Sequence, residues 1–398
     1  MVFATDSGGP LISAWAAVSP WGLSGADFAS GLASGRPAGT PLDPEEWSVP
    51  YRSACLVPGF EIKQALGRKG TRSLDRATGL ALSALCQLLG TGGPASGNGS
   101  GGPDGGERLP GVGEDTGLAL GTSAGSVQSI MDFTRDSLVG ERPFFVDPAR
   151  FPGTVMNFAA GQAAIWHRLK GPNTTIAGGR ATGLLALQYA LRLQRAGRAA
   201  AVLCGAVEEF SSARAWLEWH ARDADDEQST GGADGTAARE ADAAVLGEGA
   251  AVWLLEPAAA ARAHGRGIAE VAGVEFGFAA EPGDVRPVLA EVLGRLLART
   301  GTDPAAVWAV ADSGEPGARG RAERAALADA LGGREPARVT PAACIGDTCA
   351  ASAAFQVAAV LALAERGDAA PGSPALVTTV DRDGVVGAAL LRTVAGRP

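Results

Sequence analysis

The alternation of short apolar runs with longer helical patterns is the feature that most limits what this chain can fold into. It continues from end to end and is typical of layered α/β architecture. A chain of 398 residues is also too long for one ordinary core. We therefore expect two domains or two fused halves, each an α/β unit.

The apolar runs and periodic segments give a first list of elements. Strands are predicted at 11–18, 117–121, 173–177, 199–205, 249–256, 268–276, 307–312, 374–380 and 385–393. Helices are predicted at 73–90, 125–138, 180–196, 211–222, 284–299, 320–331 and 348–366. The same style repeats on both sides of residues 256–266, so we predict halves at 1–256 and 257–398.

Two segments have the composition of flexible insertions. Residues 91–113 consist mostly of Gly, Pro and Ser, and residues 223–242 are acidic and rich in Gly and Thr. Neither segment can bury enough apolar surface to offset its ordering entropy. Helices and strands of one half lie on either side, so we expect surface insertions and not domain linkers.

Charge and hydropathy exclude several classes of function. The 34 basic and 43 acidic residues give a net charge of −9, which argues against non-specific nucleic-acid binding. No apolar run is long enough to span a membrane, and the N-terminal residues lack the pattern of a signal peptide. These features favour a soluble, cytoplasmic protein without a membrane partner.

The cysteines and histidines do not form a metal-binding pattern. The five cysteines are scattered among apolar neighbours, which favours buried, reduced thiols. Only three histidines are present, and no Cys/His cluster occurs. We therefore expect no zinc site and no cofactor.

One motif suggests a serine hydrolase. Residues 121–125 read G-T-S-A-G, which matches the G-x-S-x-G nucleophile elbow, and they lie between a predicted strand and a predicted helix. Ser123 would be the nucleophile. The motif fixes only three positions in a Gly-rich chain, and neither His220 nor His264 lies in the glycine-flanked loop that a triad base usually occupies. A structural turn is the preferred interpretation.

The central block, residues 151–210, resembles β-ketoacyl synthases. It contains T-V-M-N, A-A-G-Q, L-K-G-P-N, a small-residue turn followed by A-T-G, and a strand ending C-G-A-V-E-E. The resemblance extends over nearly the full chain. It implies a thiolase-like α/β fold, in which two pseudo-symmetric βαβαβαββ halves form a five-layered αβαβα architecture.

The same resemblance implies that the catalytic residues are missing. Aligning I-A-G-G-R-A-T-G without gaps puts Arg180 at the position of the nucleophilic cysteine, and a guanidinium cannot act as that nucleophile. Ala311 or Asp312 takes the place of the first histidine. Asp347 replaces the second histidine and Ala342 the neighbouring lysine. Arg180 could pair with Asp347 or Asp312 as a charge-compensated remnant.

Within this family the chain resembles the chain-length factor, the non-catalytic subunit of type II polyketide synthases. The pattern Ala311-Asp312 through Arg321-Ala322-Glu323 matches the segment that replaces the catalytic histidine loop. The resemblance implies a heterodimer with a ketosynthase subunit that keeps its cysteine and two histidines. It also implies an acyl carrier protein that carries the growing chain.

The resemblance also implies a substrate tunnel and a dimer interface. One face of the helix after the T-S-A-G turn is expected to line the tunnel, through Val127, Ile130, Met131 and Thr134. These positions lack bulky aromatic side chains, so a reduced, polyene-type chain is a possible substrate. Residues 154–166 are expected at the interface, with Val155, Met156, Asn157, Phe158 and Gln162 as contacts. Ordinary core packing is the alternative for both sets.

Three functional classes remain open from the sequence. The first is a scaffold subunit of an acyl-transferring complex, which we prefer. The second is an independent serine hydrolase that uses Ser123. The third is a self-associating structural pseudoenzyme.

Overall fold

The structure, a computed structural model, describes residues 8–91, 108–229 and 245–394. Its strands are β1 Leu11–Val18, β2 Thr40–Pro41, β3 Ser53–Cys55, β4 Gly117–Gly121, β5 Asn173–Ile176, β6 Val202–Glu208, β7 Leu246–Gly247, β8 Gly249–Glu256, β9 Ala269–Phe278, β10 Ala309–Ala311, β11 Ala337–Val339, β12 Pro374–Val380 and β13 Val385–Thr393.

The helices are numbered along the chain separately from the strands. They are α1 Gly25–Ser34, α2 Ile62–Leu66, α3 Arg76–Leu89, α4 Val127–Val139, α5 Phe158–Trp166, α6 Thr182–Arg195, α7 Ser212–Ser229, α8 Ala258–Ala263, α9 Val285–Thr300, α10 Gly317–Ala330, α11 Ala342–Ile345 and α12 Ser352–Glu365. Short 3₁₀ turns at Gly179–Ala181 and Cys349–Ala351 lead directly into α6 and α12.

Ten of the strands form two matching groups of five. One group has the spatial order β5-β4-β6-β8-β1, and the other has the order β11-β10-β12-β13-β9. If the five strands of each group are numbered by their order along the chain, the spatial order in both groups is third, second, fourth, fifth, first. The groups join only where Leu11 and Ile12 of β1 pair with Glu270 and Ala269 of β9. The chain thus repeats one α/β topology twice, as the thiolase-like fold requires.

The apolar side chains divide among three layers of core. Helices α6 and α12 lie between the two strand groups, and their side chains form the central core together with both groups. Helices α3 and α5 cover the outer face of the first group. Helices α9 and α10 cover the outer face of the second. The order of layers is αβαβα.

The contact between α6 and α12 is close because small residues face one another. Gly183 lies in the first turn of α6, and a Cβ atom there would be only 2.5 Å from the main-chain nitrogen of Ala354 in α12. Nearly every residue of α12 is buried. The two helices therefore approach through their backbones, which no larger side chain at Gly183 would permit.

The long predicted strands and helices are observed with end shifts of a few residues. The sequence did not predict α1, α2, α8, α11 or the short β2, β3, β7 and β11. Helix α7 continues to Ser229, so the beginning of the predicted 223–242 insertion is helical. The rest of that insertion, and residues 92–107 of the 91–113 insertion, lie outside the described residues. Within the described ranges, no helix is long and apolar enough to span a membrane.

Gly183→Ala is predicted to lower the free energy of unfolding by about 1–3 kcal/mol, because the added methyl group overpacks the α6–α12 contact. Helix propensity alone predicts the opposite effect on stability, because it favours Ala over Gly by about 1 kcal/mol. Denaturant unfolding of the purified chain measures it. Gly294→Ala is the matched control, since Gly294 lies within α9 with no atom within 4 Å of its Cβ position. The control should be neutral or stabilising, and an equal loss in both variants would contradict the prediction.

Candidate functional site

Arg180 lies in the turn between β5 and α6. The preceding Gly179 has φ +52°, and a Cβ atom there would clash with the carboxylate of Asp381. Glycine is therefore required on both conformational and steric grounds. Asp381 Oδ2 accepts a 2.7 Å hydrogen bond from the main-chain nitrogen of Arg180. The first free amide of the turn is thus already occupied by a carboxylate from the opposite half of the chain.

The guanidinium of Arg180 pairs with two carboxylates. Its Nη2 donates to Asp347 Oδ2 at 2.5 Å, and its Nε lies 3.1 Å from Glu315 Oε2. All three side chains are almost buried, with exposed fractions of 12%, 7% and 11% for Arg180, Asp347 and Glu315. A cation at a helix N-terminus opposes the helix dipole, so compensation by these acids is needed.

The protonation states follow from burial and charge. Burial acts against the charge on Arg180, but Asp347 and Glu315 outweigh it and raise the pKa of the guanidinium. Burial also acts to raise the pKa of Asp347, yet Arg180 and Arg214 hold that pKa well below its usual range. For Glu315, burial prevails over Arg180 and the pKa is raised. Arg180–Asp347 is therefore the firmly ionised pair, with Glu315 as the weaker acid beside it.

A second guanidinium, that of Arg214, contacts the main chain of Asp347. The buried Arg214 on α7 donates to the main-chain oxygens of Glu209, Gly247 and Asp347 at 2.7–2.9 Å. Asp347 Oδ1 accepts a 2.9 Å hydrogen bond from the main-chain nitrogen of Cys349. The Asp347 carboxylate is thus held in place by main-chain contacts on one side and by Arg180 on the other.

Asp312 does not join this cluster. It accepts from Thr340 Oγ1 at 2.6 Å and lies 3.4 Å from Arg338 Nη1, while Ala311 is buried at the end of β10. Of the two candidate partners for Arg180, Asp347 is therefore correct and Asp312 is wrong. The second acid that pairs with Arg180 is Glu315, which follows Asp312 in the same loop.

Glu323, the last residue of the pattern from Asp312 to Arg321-Ala322-Glu323, has a local structural role. Its carboxylate accepts from the main chain and the hydroxyl of Ser313 and, at 2.7 Å, from Thr378 Oγ1. Complete burial raises the pKa of Glu323 to about 7, against the effect of these donors. Glu323 thereby fixes the loop that carries Asp312 and Glu315, and it makes no contact with Arg180.

A cavity of about 190 Å³ opens beside the ion pairs. It is lined by Arg180, Glu315 and Asp347 together with Ala342, Cys55 and Cys344. No nucleophile occupies the Arg180 position, and its main-chain amide is already bonded. The cavity therefore lacks the groups that would attack a thioester and stabilise its oxyanion at that point.

Ser123 is placed away from every histidine of the chain. Its Oγ donates to the buried Glu208 Oε1 at 2.9 Å. His167 contacts Cys86, His220 stacks on Trp216, and His264 lies beside Glu256 and Arg266. A serine nucleophile needs a base within hydrogen-bond reach. The structure therefore forms no Ser–His pair at the turn 121–125, and the hydroxyl of Ser123 donates to the buried Glu208 carboxylate instead.

Helix α4 and the segment before α5 carry the predicted tunnel and interface residues. Val127 is buried and Ile130 half-buried, whereas Met131 and Thr134 are exposed. Before α5, the side chains of Val155, Met156 and Asn157 are exposed, while Phe158 is buried and Gln162 half-buried within the helix.

This region carries a large apolar surface. Among the described residues, nine of the twelve exposed large hydrophobic side chains lie between residues 131 and 165. They are Met131, Leu138, Val139, Phe144, Phe145, Phe151, Val155, Met156 and Ile165, and we call this set the apolar surface. A concentration of exposed apolar side chains in one segment is typical of a contact site for another molecule.

Sequence reasoning missed three residues of the site. Glu315 lies in the same loop as Asp312, where only Ala311 and Asp312 were predicted at the site, and Asp381 follows β12, where no site residue was predicted. Arg214 lies on a helix whose sequence looks surface-like, with charged residues on either side. A buried arginine that bonds only main-chain oxygens leaves no signal in local sequence.

Comparisons with known proteins agree with the fold. The family described as β-ketoacyl synthase, N-terminal domain, matches residues 11–261. The structure of the ishigamide ketosynthase/chain length factor is 40% identical with a TM-score of 0.81, covering 98% of this chain and 100% of that chain. A β-ketoacyl synthase from Burkholderia phymatum has the same fold, with a TM-score of 0.76 at 21% identity and coverage of 98% and 100%.

Curated relatives are more distant. The granaticin polyketide putative β-ketoacyl synthase 2 of Streptomyces violaceoruber is 28% identical over 332 residues, which cover 78% of this chain and 72% of that protein. The 3-oxoacyl-[acyl-carrier-protein] synthase 2 of Vibrio cholerae is 29% identical over 231 residues, 56% of this chain and 51% of the relative. The chain thus spans about half the length of several curated relatives that it matches.

Arg180→Met is predicted to lower the free energy of unfolding by about 3–5 kcal/mol, because it leaves Asp347 and Glu315 buried without their cation. Denaturant unfolding at neutral pH measures the loss. Arg286→Met is the matched control, since Arg286 forms a pair of similar geometry with Asp329 in which both side chains are about half exposed. We expect little or no change for the control. Equal stabilities of the wild type and Arg180→Met would show that the buried pair is not needed.

Proposed function

The chain belongs to the β-ketoacyl synthase family, and within it we propose that it is a non-catalytic chain-length factor of a type II polyketide synthase. It would form a heterodimer with a ketosynthase subunit that carries the nucleophilic cysteine and both histidines. An acyl carrier protein would deliver the growing chain to that subunit. The role of this chain would be to shape the tunnel that limits chain length.

The observation that carries the proposal is the neutralised Arg180. The position that aligns with the nucleophile holds a guanidinium, paired with Asp347 and Glu315 and capped at its main chain by Asp381. No local rearrangement converts this cluster into an acyl-accepting site, because arginine stays protonated at any accessible pH. A family member with arginine at the position of the nucleophile can take part in chain condensation only through the cysteine of a partner subunit.

The apolar surface supports a heterodimer. It contains Val155 and Met156, two of the predicted interface residues, and it continues through the segment that precedes α5 into α4. Burying these side chains against a partner would remove a large apolar area from water, which is the main source of affinity in obligate interfaces. Phe158 and Gln162 would then support the interface from within α5.

The exposed face of α4 supports a tunnel at this interface. Met131 and Thr134 are exposed, and Ile130 is half-buried beside them, so all three would face the partner across the interface. None of them is a bulky aromatic residue. We propose on this basis a tunnel wide enough for a reduced, polyene-type chain.

The division of the chain into two halves at 256/257 likewise stays a prediction.

Met156→Asp is expected to weaken the heterodimer at least about tenfold, because it places an unpaired charge within the apolar surface. Co-expression with a tagged ketosynthase that keeps its cysteine and both histidines, followed by co-purification, measures the loss. Phe278→Asp is the matched control, since Phe278 is 65% exposed on β9, away from the apolar surface. The control should co-purify normally. Persistence of the Met156→Asp complex would remove this surface from the interface.

The same co-expression separates the alternatives. A chain that stays a homodimer and leaves the ketosynthase unchanged in solubility and activity would favour a self-associating pseudoenzyme. Labelling of Ser123 by an active-site serine probe would favour the hydrolase, against the position of Ser123 beside Glu208.

Thr134→Trp is expected to shorten the products of the reconstituted complex, because the indole would fill the tunnel beside Ile130. Mass spectrometry of the released chains measures the product length. Arg135→Trp adds the same side chain one residue along, about 100° around the helix, and should leave the length unchanged. Equal product lengths for wild type and Thr134→Trp would exclude Thr134 from the tunnel.

A further inference from the structure

Two cysteines from opposite halves of the chain line the cavity beside Arg180. Cys55 ends β3 in the first half, and Cys344 lies on α11 in the second half. Both thiols are free. Cys55 is buried and Cys344 is partly exposed, so one thiol lies inside the cavity and the other is accessible at its edge.

The thiol of Cys55 contacts the main chain of Cys344. Cys55 Sγ lies 3.7 Å from the main-chain oxygen of Cys344, and Cys344 Sγ lies 3.5 Å from the main-chain oxygen of Gly35. These are weak S–H···O contacts, so each thiol can leave its acceptor at small cost. Rotation of the Cys344 side chain away from Gly35 is the movement that would bring its sulfur toward that of Cys55.

The backbone around both residues is firmly placed. Cys55 pairs with Gly247 of β7, and the neighbouring Leu246 of β7 forms a bridge with Asp347, three residues beyond Cys344. The main-chain oxygen of Cys344 also accepts a 2.8 Å hydrogen bond from Ala38. A bond between the sulfurs would therefore join two segments that are already adjacent and would require no large movement of the backbone.

From this geometry we propose that Cys55 and Cys344 form a redox-active pair, which a peroxide oxidant closes to a disulfide across the cavity beside Arg180. The proposal stands independently of the chain-length-factor role. The modification would covalently connect the two halves of the fold at the cavity, next to the segment that positions Asp347.

The chemistry balances with hydrogen peroxide as the oxidant. The Cys344 thiolate attacks one peroxide oxygen, the O–O bond breaks, and the departing hydroxide takes a proton to become water. This leaves a sulfenic acid on Cys344. The Cys55 thiolate then attacks that sulfur, the S–O bond breaks, and a second water leaves. The two sulfurs together supply the two electrons that reduce one peroxide to two waters.

The exposure of the two thiols sets the order of these steps. Burial, with a smaller effect of Cys344, raises the pKa of Cys55 to about 11, and burial also raises the pKa of Cys344. Few thiolates are thus present at neutral pH. The more exposed Cys344 reacts with the oxidant first, and the reaction accelerates as the pH rises toward these pKa values.

The test uses the full chain treated with hydrogen peroxide. Alkylation under denaturing conditions should count five thiols before treatment and three after it. Non-reducing peptide mapping should show the tryptic peptide 53–63 linked to the peptide 339–366, with the loss of two hydrogen masses. Reduction should restore all five thiols. The midpoint of thermal unfolding should rise on oxidation, because the linked residues are 289 positions apart.

Serine variants identify the partners, because the peptide 339–366 also contains Cys349. Cys344→Ser should abolish the linkage, whereas Cys349→Ser should retain it. Cys55→Ser should abolish both the linkage and the rise in the unfolding midpoint. The proposal is overturned if five thiols survive oxidation, if Cys344 is driven to sulfinic acid without linkage, or if the linkage persists in Cys344→Ser.

Discussion

The close contact between α6 and α12 is the constraint on which the rest of the structure depends. Both helices are buried between the two strand groups, so their separation sets the thickness of the central layer. Each begins with a 3₁₀ turn, and these turns carry Arg180 on one side and Cys349 on the other, two residues from Asp347. Because Gly183 lets the helices touch through their backbones, the two turns meet as well. The ion pair between Arg180 and Asp347 is a consequence of that contact.

A charge at this place is stable only because the surrounding residues are arranged for it. The N-terminus of α6 presents free amides and the positive end of a dipole, which favour an anion. Arg180 brings the opposite charge. Asp381 satisfies its amide, while Asp347 and Glu315 neutralise its guanidinium, and the three acids come from three separate segments of the second half. The first half alone could not hold Arg180 in a buried position.

The strands and helices that the sequence predicted well are those whose pattern is decided locally. β1, β8, β12 and β13 are long runs of buried residues, and their bounds were predicted without error. Helix α1 was missed because Gly25, Gly31 and small residues weaken its periodicity, although Ser24 and Asp27 form a capping box at its start. β7 and β11 contain only two and three residues, so they have no periodicity to detect.

The site was predictable in part for a similar reason. Arg180 and Asp347 were found because they occupy positions that a family resemblance marks in the sequence. Glu315 and Asp381 reach Arg180 only through tertiary structure, across 135 and 201 positions of the chain. Which of several acids in these loops faces a given cation depends on loop conformation. The sequence therefore predicted Asp347 or Asp312 as the partner of Arg180, and the fold presents Asp347 together with Glu315.

The buried cluster also bears on what a cysteine at position 180 would cost. Such a substitution alone would remove the guanidinium that pairs directly with the buried Asp347 and Glu315, and the uncompensated burial would cost several kcal/mol. Replacing an acid first would instead leave Arg180 partly unpaired, with the same kind of penalty. Each single step toward the catalytic set therefore destabilises the fold before any activity is gained. Mutual dependence among Arg180, Asp347 and Glu315 thus opposes any single substitution at these three positions.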